Sequence, residues 1–344
     1  MQSPSGANEM RLSVFSVQDH YEDRPRSVPQ LYAQVAEQAE LADALGYDTF
    51  FVAEHHFHQY GAVPNPAVML AALAQRTKRL RLGSAISILT FHHPLTVAES
   101  YAMVDVLSGG RLVLGVGSGY LKHEFAGYAV DPAEKRERFD EALAVVRAAL
   151  AGETVTAQGR FSAVDGVRIN VPPVQKRVPI YDAILRREAA LHVGRQGHDI
   201  MCVPYASVEG LEDVGAMIGE YARGREAGGH GPGDSTFALH THVADSDADC
   251  RHEAADAFDL YVATRLYARR AVYDDVLRSR LCLFGGVDSV VERMVALHRM
   301  GVRHVMTLQN FGLMAPELVK RSMRLMAEEV MPRVRARIAA ASAA

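Results

Sequence analysis

The residues best suited to chemistry stand in one run from Phe50 to Tyr60, where two phenylalanines, Val52 and Ala53 give way to Glu54, His55, His56 and His58. Imidazole gives or takes a proton near neutral pH, and a neighbouring carboxylate can orient it. Glu54, His55 and His56 are therefore the catalytic candidates, with a structural role open for at least one histidine. His58, further into the loop, reads either as substrate-side or as exposed.

Other groups offer different chemistry. His92 and His93 precede Pro94, while His240 and His242 share one side of a strand by its period of two. Histidines at several strand ends permit a metal-dependent hydrolase, although no carboxylate-rich ligand set stands at a recognisable spacing, and no metal ligand is assigned. Gly115-Val116-Gly117-Ser118-Gly119-Tyr120 lacks a helix directly behind it, as a dinucleotide fingerprint would require. It reads as backbone brought close to something flat, a ligand or another loop. Leu185-Arg186-Arg187-Glu188 precedes a helix whose free N–H groups favour an anion. Arg186 and Arg187 there either hold a phosphate or pair with acids such as Glu188 and Asp182.

These groups need a scaffold that gathers strand ends. Apolar runs alternate with amphipathic segments: strands at 12–17, 47–53, 80–88, 111–116, 178–184, 199–203, 236–243 and 303–308, with helices between them. Eight such units fit a closed (β/α)8 TIM barrel, in which residues just past the strands' carboxyl ends face the active-site mouth. An open doubly wound sheet has the same alternation. Between Gly152 and Val178 the helical period gives way to short β-like pieces, an insertion after the fourth βα unit (about residues 152–178). The stretch 247–286 reads as helical and rich in Arg and Tyr (Tyr261, Arg265, Tyr267, Arg269, Arg270, Tyr273), either a solvated face or a lid. One domain is expected over residues 10–338, with 1–9 a frayed tail and no signal peptide.

Composition narrows the class. The 344 residues are 49% hydrophobic and 23% charged, as in a soluble globular protein. A formal charge of -4 with dispersed basic residues gives no footprint for nucleic acid. No membrane span is expected, and three widely spaced cysteines read as buried or incidental thiols of a reducing cytoplasm.

In order along the chain stand Ala53-Glu54-His55-His56-Phe57, Asn65-Pro66, Thr77 to Gly83, His93-Pro94, Glu99, Leu107 to Arg111, Gly115 to Tyr120, Glu124-Phe125, Arg138-Phe139 with Glu141, Pro172 to Gln175, and Phe311-Gly312 through Ala327 to Pro332. Taken together they resemble the bacterial luciferase-like flavin-dependent monooxygenases. The resemblance implies a (β/α)8 barrel with an insertion, usually dimeric. Such a protein uses reduced FMN, supplied by a separate reductase, and O2 to oxidise a small organic substrate, an aldehyde or a specialised metabolite being examples. It further implies that His55 is catalytic, with His56 and Glu54 in support, and that a non-prolyl cis peptide at Ala85-Ile86 underlies the flavin ring. The cradle would comprise Ala85, Ile86, Gly117, Ser118, Gly119, Tyr120, Arg186 and Arg187. Luciferase itself has an arginine where this chain has Ser118, and a Glu-Ser pair where it has Leu185-Arg186, so Arg186 or Arg187 would replace the missing phosphate donors. A deazaflavin-dependent oxidoreductase of the same fold and a non-catalytic flavin-binding relative are the other readings.

Overall fold

A computed structural model describes residues 9–266 and 271–343. The apolar runs fold as strands β1 (Arg11–Ser16), β2 (Thr49–Val52), β3 (Arg81–Ile88), β4 (Leu112–Gly117), β5 (Val155–Gln158), β6 (Ala163–Val167), β7 (Ile180–Ile184), β8 (Asp199–Cys202), β9 (Ser235–Ala244), β10 (Cys282–Gly286) and β11 (His304–Leu308). Parallel pairing runs β1-β2-β3-β4-β7-β8, and β9 joins β8 to β11, which returns to β1. The result is the expected closed barrel of eight parallel strands with helices between them. The insertion folds as the antiparallel hairpin β5-β6. The peptide between Ala85 and Ile86 is cis.

The stretch 247–286 departs from its helical expectation. It begins as the helix Asp247–Ala263, but its end is β10, paired in parallel with His240 to Ala244 of β9. The buried run Leu281 to Phe284 closes in Gly285-Gly286, and five residues are too few for periodicity to separate a strand from a helix. Nor is this stretch a solvated face, since Tyr261, Arg265 and Tyr273 are buried. Tyr267, Arg269 and Arg270 lie outside the described residues, as do residues 1–8 of the expected tail.

Two side chains tie the scaffold together. Arg111, at the entrance to β4, uses every guanidinium N–H: on the carbonyls of Ala74, Thr77, Leu80 and Ser108 at 2.6–3.0 Å and on the Thr77 hydroxyl at 2.9 Å. It joins the ends of the helices Pro66–Ala74 and Pro94–Ser108 to the start of β3. Asp105 accepts from the Leu112 amide and from both the backbone and side chain of Gln175, so the insertion's exit is anchored to the same corner. At the same, amino-terminal end of the strands Arg11, Tyr181 and Asp234 form a part-buried cluster. All three cysteines are buried and free. Among the described residues no helix is long and apolar enough to cross a membrane.

His240 and His242 both face the helix Asp247–Ala263. His242 meets Glu253 at 2.7 Å, whereas His240 sits among Tyr205, Phe258, Tyr261 and Phe311, with neither ring nitrogen hydrogen-bonded among the described residues. Burial, reinforced by Arg265, lowers the His240 pKa from 6.5 to about 3. The unfolded chain then binds this proton first, so stability falls as pH drops below about 6.5. His240→Phe is expected to flatten that loss, gaining about 2 kcal/mol on wild type between about pH 6.5 and 4.5. Urea unfolding at the two pH values checks it, and an unchanged pH dependence would clear His240 of the effect.

Candidate active site

A cavity of about 960 Å3, mouth included, opens at the carboxyl ends of the strands. Its wall takes Glu54, His55 and Tyr60 from the exit of β2, Ala85, Ile86 and Ile88 from β3, and Gly117 to Tyr120 from the end of β4. Ala183 to Leu185, Met201 to Val203, Met306 and Leu308 complete a largely apolar lining. Strand ends gather these side chains because parallel strands deliver their βα loops to one face.

His55 Nδ1 lies 3.2 Å from Glu124 Oε1, which also accepts the His56 backbone N–H at 3.0 Å. A carboxylate accepts and cannot donate, so the proton is on Nδ1 and Nε2 is left as the acceptor. Burial lowers the His55 pKa and Arg265 adds to this, while Glu124 opposes them without prevailing, so the ring is neutral near pH 7. Its edge packs against Tyr60 at 4.4 Å between centroids. The Tyr60 and Tyr120 hydroxyls meet at 2.6 Å, joining the loops after β2 and β4. Behind Tyr60, the buried Arg265 lies 3.6 Å from its ring and 4.1 Å from that of Tyr261, and donates to the Tyr60 carbonyl.

Glu54 forms a second group. Its Oε1 meets His56 Nε2 at 3.0 Å and His92 Nε2 at 2.7 Å, and its Oε2 accepts the Ile88 amide. Burial raises the Glu54 carboxyl, but the two imidazoles and the amide outweigh it and hold the pKa below its ordinary value. Both Nε2 atoms then carry protons, and Tyr128, 3.2 Å from His56 Nδ1, is the donor there. These three side chains have atoms within 4.8 Å of one another, near enough for a cation, yet direct contacts of 2.7 and 3.0 Å place protons where a metal would need lone pairs. The group is a carboxylate with two donors.

The candidates thus separate. Glu54, His55, Ala85, Ile86, Gly117, Ser118, Gly119 and Tyr120 converge on the cavity. His56 stands behind Glu54, and His58 turns to the Tyr60 amide and to His123. Arg186 and Arg187 are exposed at the start of the helix Arg187–Arg195, outside the lining, and Arg187 pairs with Glu220. A short helix, Lys122–Gly127, does follow the glycine loop after Leu121, and it delivers Glu124. Glu124, Tyr60 and Arg265 are site residues that sequence reasoning misses; Glu124 stands in a matched motif, but nothing in its spacing tells that it reaches His55.

The glycines let β4 lie close against β3: a Cβ on Gly117 would sit 2.3 Å from Ile86 Cδ1, and one on Gly115 2.3 Å from the Ser84 carbonyl. Leu185 brings the wall to the amino end of the helix Arg187–Arg195, where an anionic group is favoured. The apolar wall of Ala85, Ile86 and Gly117 to Tyr120, with a helix start at its edge, fits a flavin.

Removing the carboxylate that favours the His55 cation should lower the imidazole pKa further. NMR titration of Glu124→Gln is expected to show this, and an unchanged value would mean that Glu124 does not govern His55.

The model of the family described as Luciferase-like monooxygenase matches residues 10–304. The chain spans about half the length of the first curated relatives it matches, among them limonene 1,2-monooxygenase of Rhodococcus erythropolis (32% identical, 53% of this chain and 47% of that one). Coverage is fuller with 4-hydroxyprotoasukamycin monooxygenase of Streptomyces nodosus subsp. asukaensis (29% identical, 86% and 85%). The oxygenase component of the flavin-dependent trigonelline monooxygenase of Acinetobacter baylyi is 25% identical over 94% and 95%. F420-dependent glucose-6-phosphate dehydrogenase of Amycolatopsis mediterranei also matches, at 31% over 52% and 54%. Among solved structures, monooxygenase RslO1 from Streptomyces bottropensis superposes with TM-score 0.86 (30% identical, 94% of this chain and 99% of that one). The oxygenating constituent of 3,6-diketocamphane monooxygenase from Pseudomonas putida, in complex with FMN, shares the fold at TM-score 0.81 and 18% identity over 95% and 99%. With the family model matched over most of its length and the strand-end histidine site in place, this chain belongs to the luciferase-like monooxygenase family.

Proposed function

We propose that the protein is the oxygenase of a two-component system, holding reduced FMN and using O2 to oxidise a small or mid-sized apolar or aromatic organic molecule. The observation that carries this is His55, neutral, with Nδ1 turned to the buried Glu124 and its ring in the wall of an apolar cavity. Reduced flavin, when bound, supplies the oxygen-activating chemistry. The chain's own part is to fix, dry and protonate. Ala85, Ile86 and the glycine loop would flank the ring, while Arg186 at the helix start would meet the phosphate. Phe15, Val17, Met306 and Leu308 give the substrate apolar walls and exclude water, which strengthens every polar contact inside. His55 Nε2 takes or returns a proton on the substrate side, with Glu124 fixing the tautomer.

Relatives named as an oxygenase component and an oxygenating constituent support a separate reductase. Homodimerisation is supported by the family resemblance and by exposed Val68, Met103, Val106 and Leu107 on the helices Pro66–Ala74 and Pro94–Ser108. We place the protein in the cytoplasm.

A second reading, hydride transfer with a deazaflavin, is favoured by the F420-dependent relatives. Mixing with oxygenated buffer separates the two. Reduced FMN bound to the protein should reoxidise more slowly than free reduced FMN, and Arg186→Ala should weaken its binding. Reoxidation at the free rate with no detectable binding sinks the monooxygenase reading, and substrate-dependent reduction of a deazaflavin establishes the other. His55→Ala should retain most flavin affinity yet lower substrate oxidation by about 100-fold. Unchanged turnover would remove His55 from the mechanism.

A further inference from the structure

Behind Glu54 lies a second, polar chamber of about 570 Å3, mouth included. Glu54, Ser87, His92, His93, Thr96 and Tyr101 are in its lining, and Glu54 is also in the wall of the active-site cavity. Tyr101, 2% exposed as a residue, lines this chamber beside Ser87. A space with several polar groups in its wall is where water is held.

The Glu54 group spans the wall between the two spaces. The side chains of Glu54 and His56 are 1% and 3% exposed, but that of His92 is 30% exposed. His92 is thus the member that solvent reaches, and its Nε2 is 2.7 Å from Glu54 Oε1. His56, clasped between Glu54 and Tyr128, holds the carboxylate from the other side.

The need for such an arrangement rests on the function proposed above. Converting one atom of O2 to water takes up a proton, and an apolar cavity closed by its ligands cannot draw one through its own mouth. We propose that His92 and Glu54 are the proton inlet of the active-site cavity, fed by water in the polar chamber. A hydronium ion in the chamber gives its proton to His92 Nδ1, leaving water, as Nε2 passes its own to Glu54 Oε1. The imidazole ends with the proton count it began with but as the Nδ1–H tautomer, which exchange with chamber water returns to Nε2–H. Glu54, now neutral, gives the proton to a water or substrate oxygen on the cavity side and returns to the carboxylate. No electron moves in this sequence. His92 is accordingly a positioning and delivery residue, distinct from His55, which meets the substrate.

The test uses the whole protein and two variants. His92→Gln keeps an N–H donor for Glu54 but cannot relay a proton, and His92→Phe removes the donor as well. In cofactor-free protein labelled with 15N-histidine, the Nε2–H of His56 should exchange with solvent about tenfold more slowly in both variants than in wild type. In the flavin-loaded enzyme His92→Gln should lower turnover about tenfold or more, with added imidazole entering the chamber and restoring part of it. Exchange within twofold of wild type in both variants, or a turnover loss that imidazole does not relieve, overturns the proposal. If wild-type protein shows no turnover on reduced flavin, the exchange result still decides the inlet, and the monooxygenase reading alone fails.

Discussion

Two buried carboxylates govern the site. Glu54 and Glu124 are no more than 2% exposed, and each would be costly to bury unless donors surrounded it. Glu124 receives His55 and the amide of His56, and Glu54 receives His56, His92 and the amide of Ile88. The exits of β2 and β3 and the short helix after β4 are therefore bound to one another through side-chain oxygens. Those contacts also set which nitrogens carry protons, so the same atoms that fasten the loops prepare the histidines for proton transfer.

Side-by-side histidines take opposite parts because of this division. His55 faces Glu124 through Nδ1 and keeps Nε2 for the cavity, whereas His56 is occupied at both nitrogens, by Glu54 and Tyr128. A strand's alternation turns adjacent residues to opposite sides, and the chain leaving β2 carries that alternation one step further, into the loop. One histidine is available to a ligand, and the other is part of the wall.

Much of this was legible in the sequence. Eight apolar runs at the right spacing predicted the closed barrel, and loss of the helical period after Leu150 located the hairpin. β10 was hidden because a five-residue strand within a helical stretch carries no usable period. At the site, strand ends pointed to His55 and the glycine loop. Glu124 reaches His55 across 69 positions and Arg265 reaches Tyr60 across 205, encounters that arise only when the barrel closes. For Arg186 and Arg187 the sequence located a helix start beside a strand end, while their exposure and the pairing of Arg187 with Glu220 show only in the fold.

Arg111 shows how such a scaffold tolerates change. Four of its five contacts are to main-chain carbonyls, and the remaining one is to the Thr77 hydroxyl. A carbonyl is the same whatever side chain its residue bears. The surfaces of the helices Pro66–Ala74 and Pro94–Ser108 can accordingly be rewritten without disturbing the corner that sets β3 beside β4, and with it the distance between Ile86 and Gly117. Redesign of the outer helices and redesign of the ligand slot are, to that extent, separable tasks.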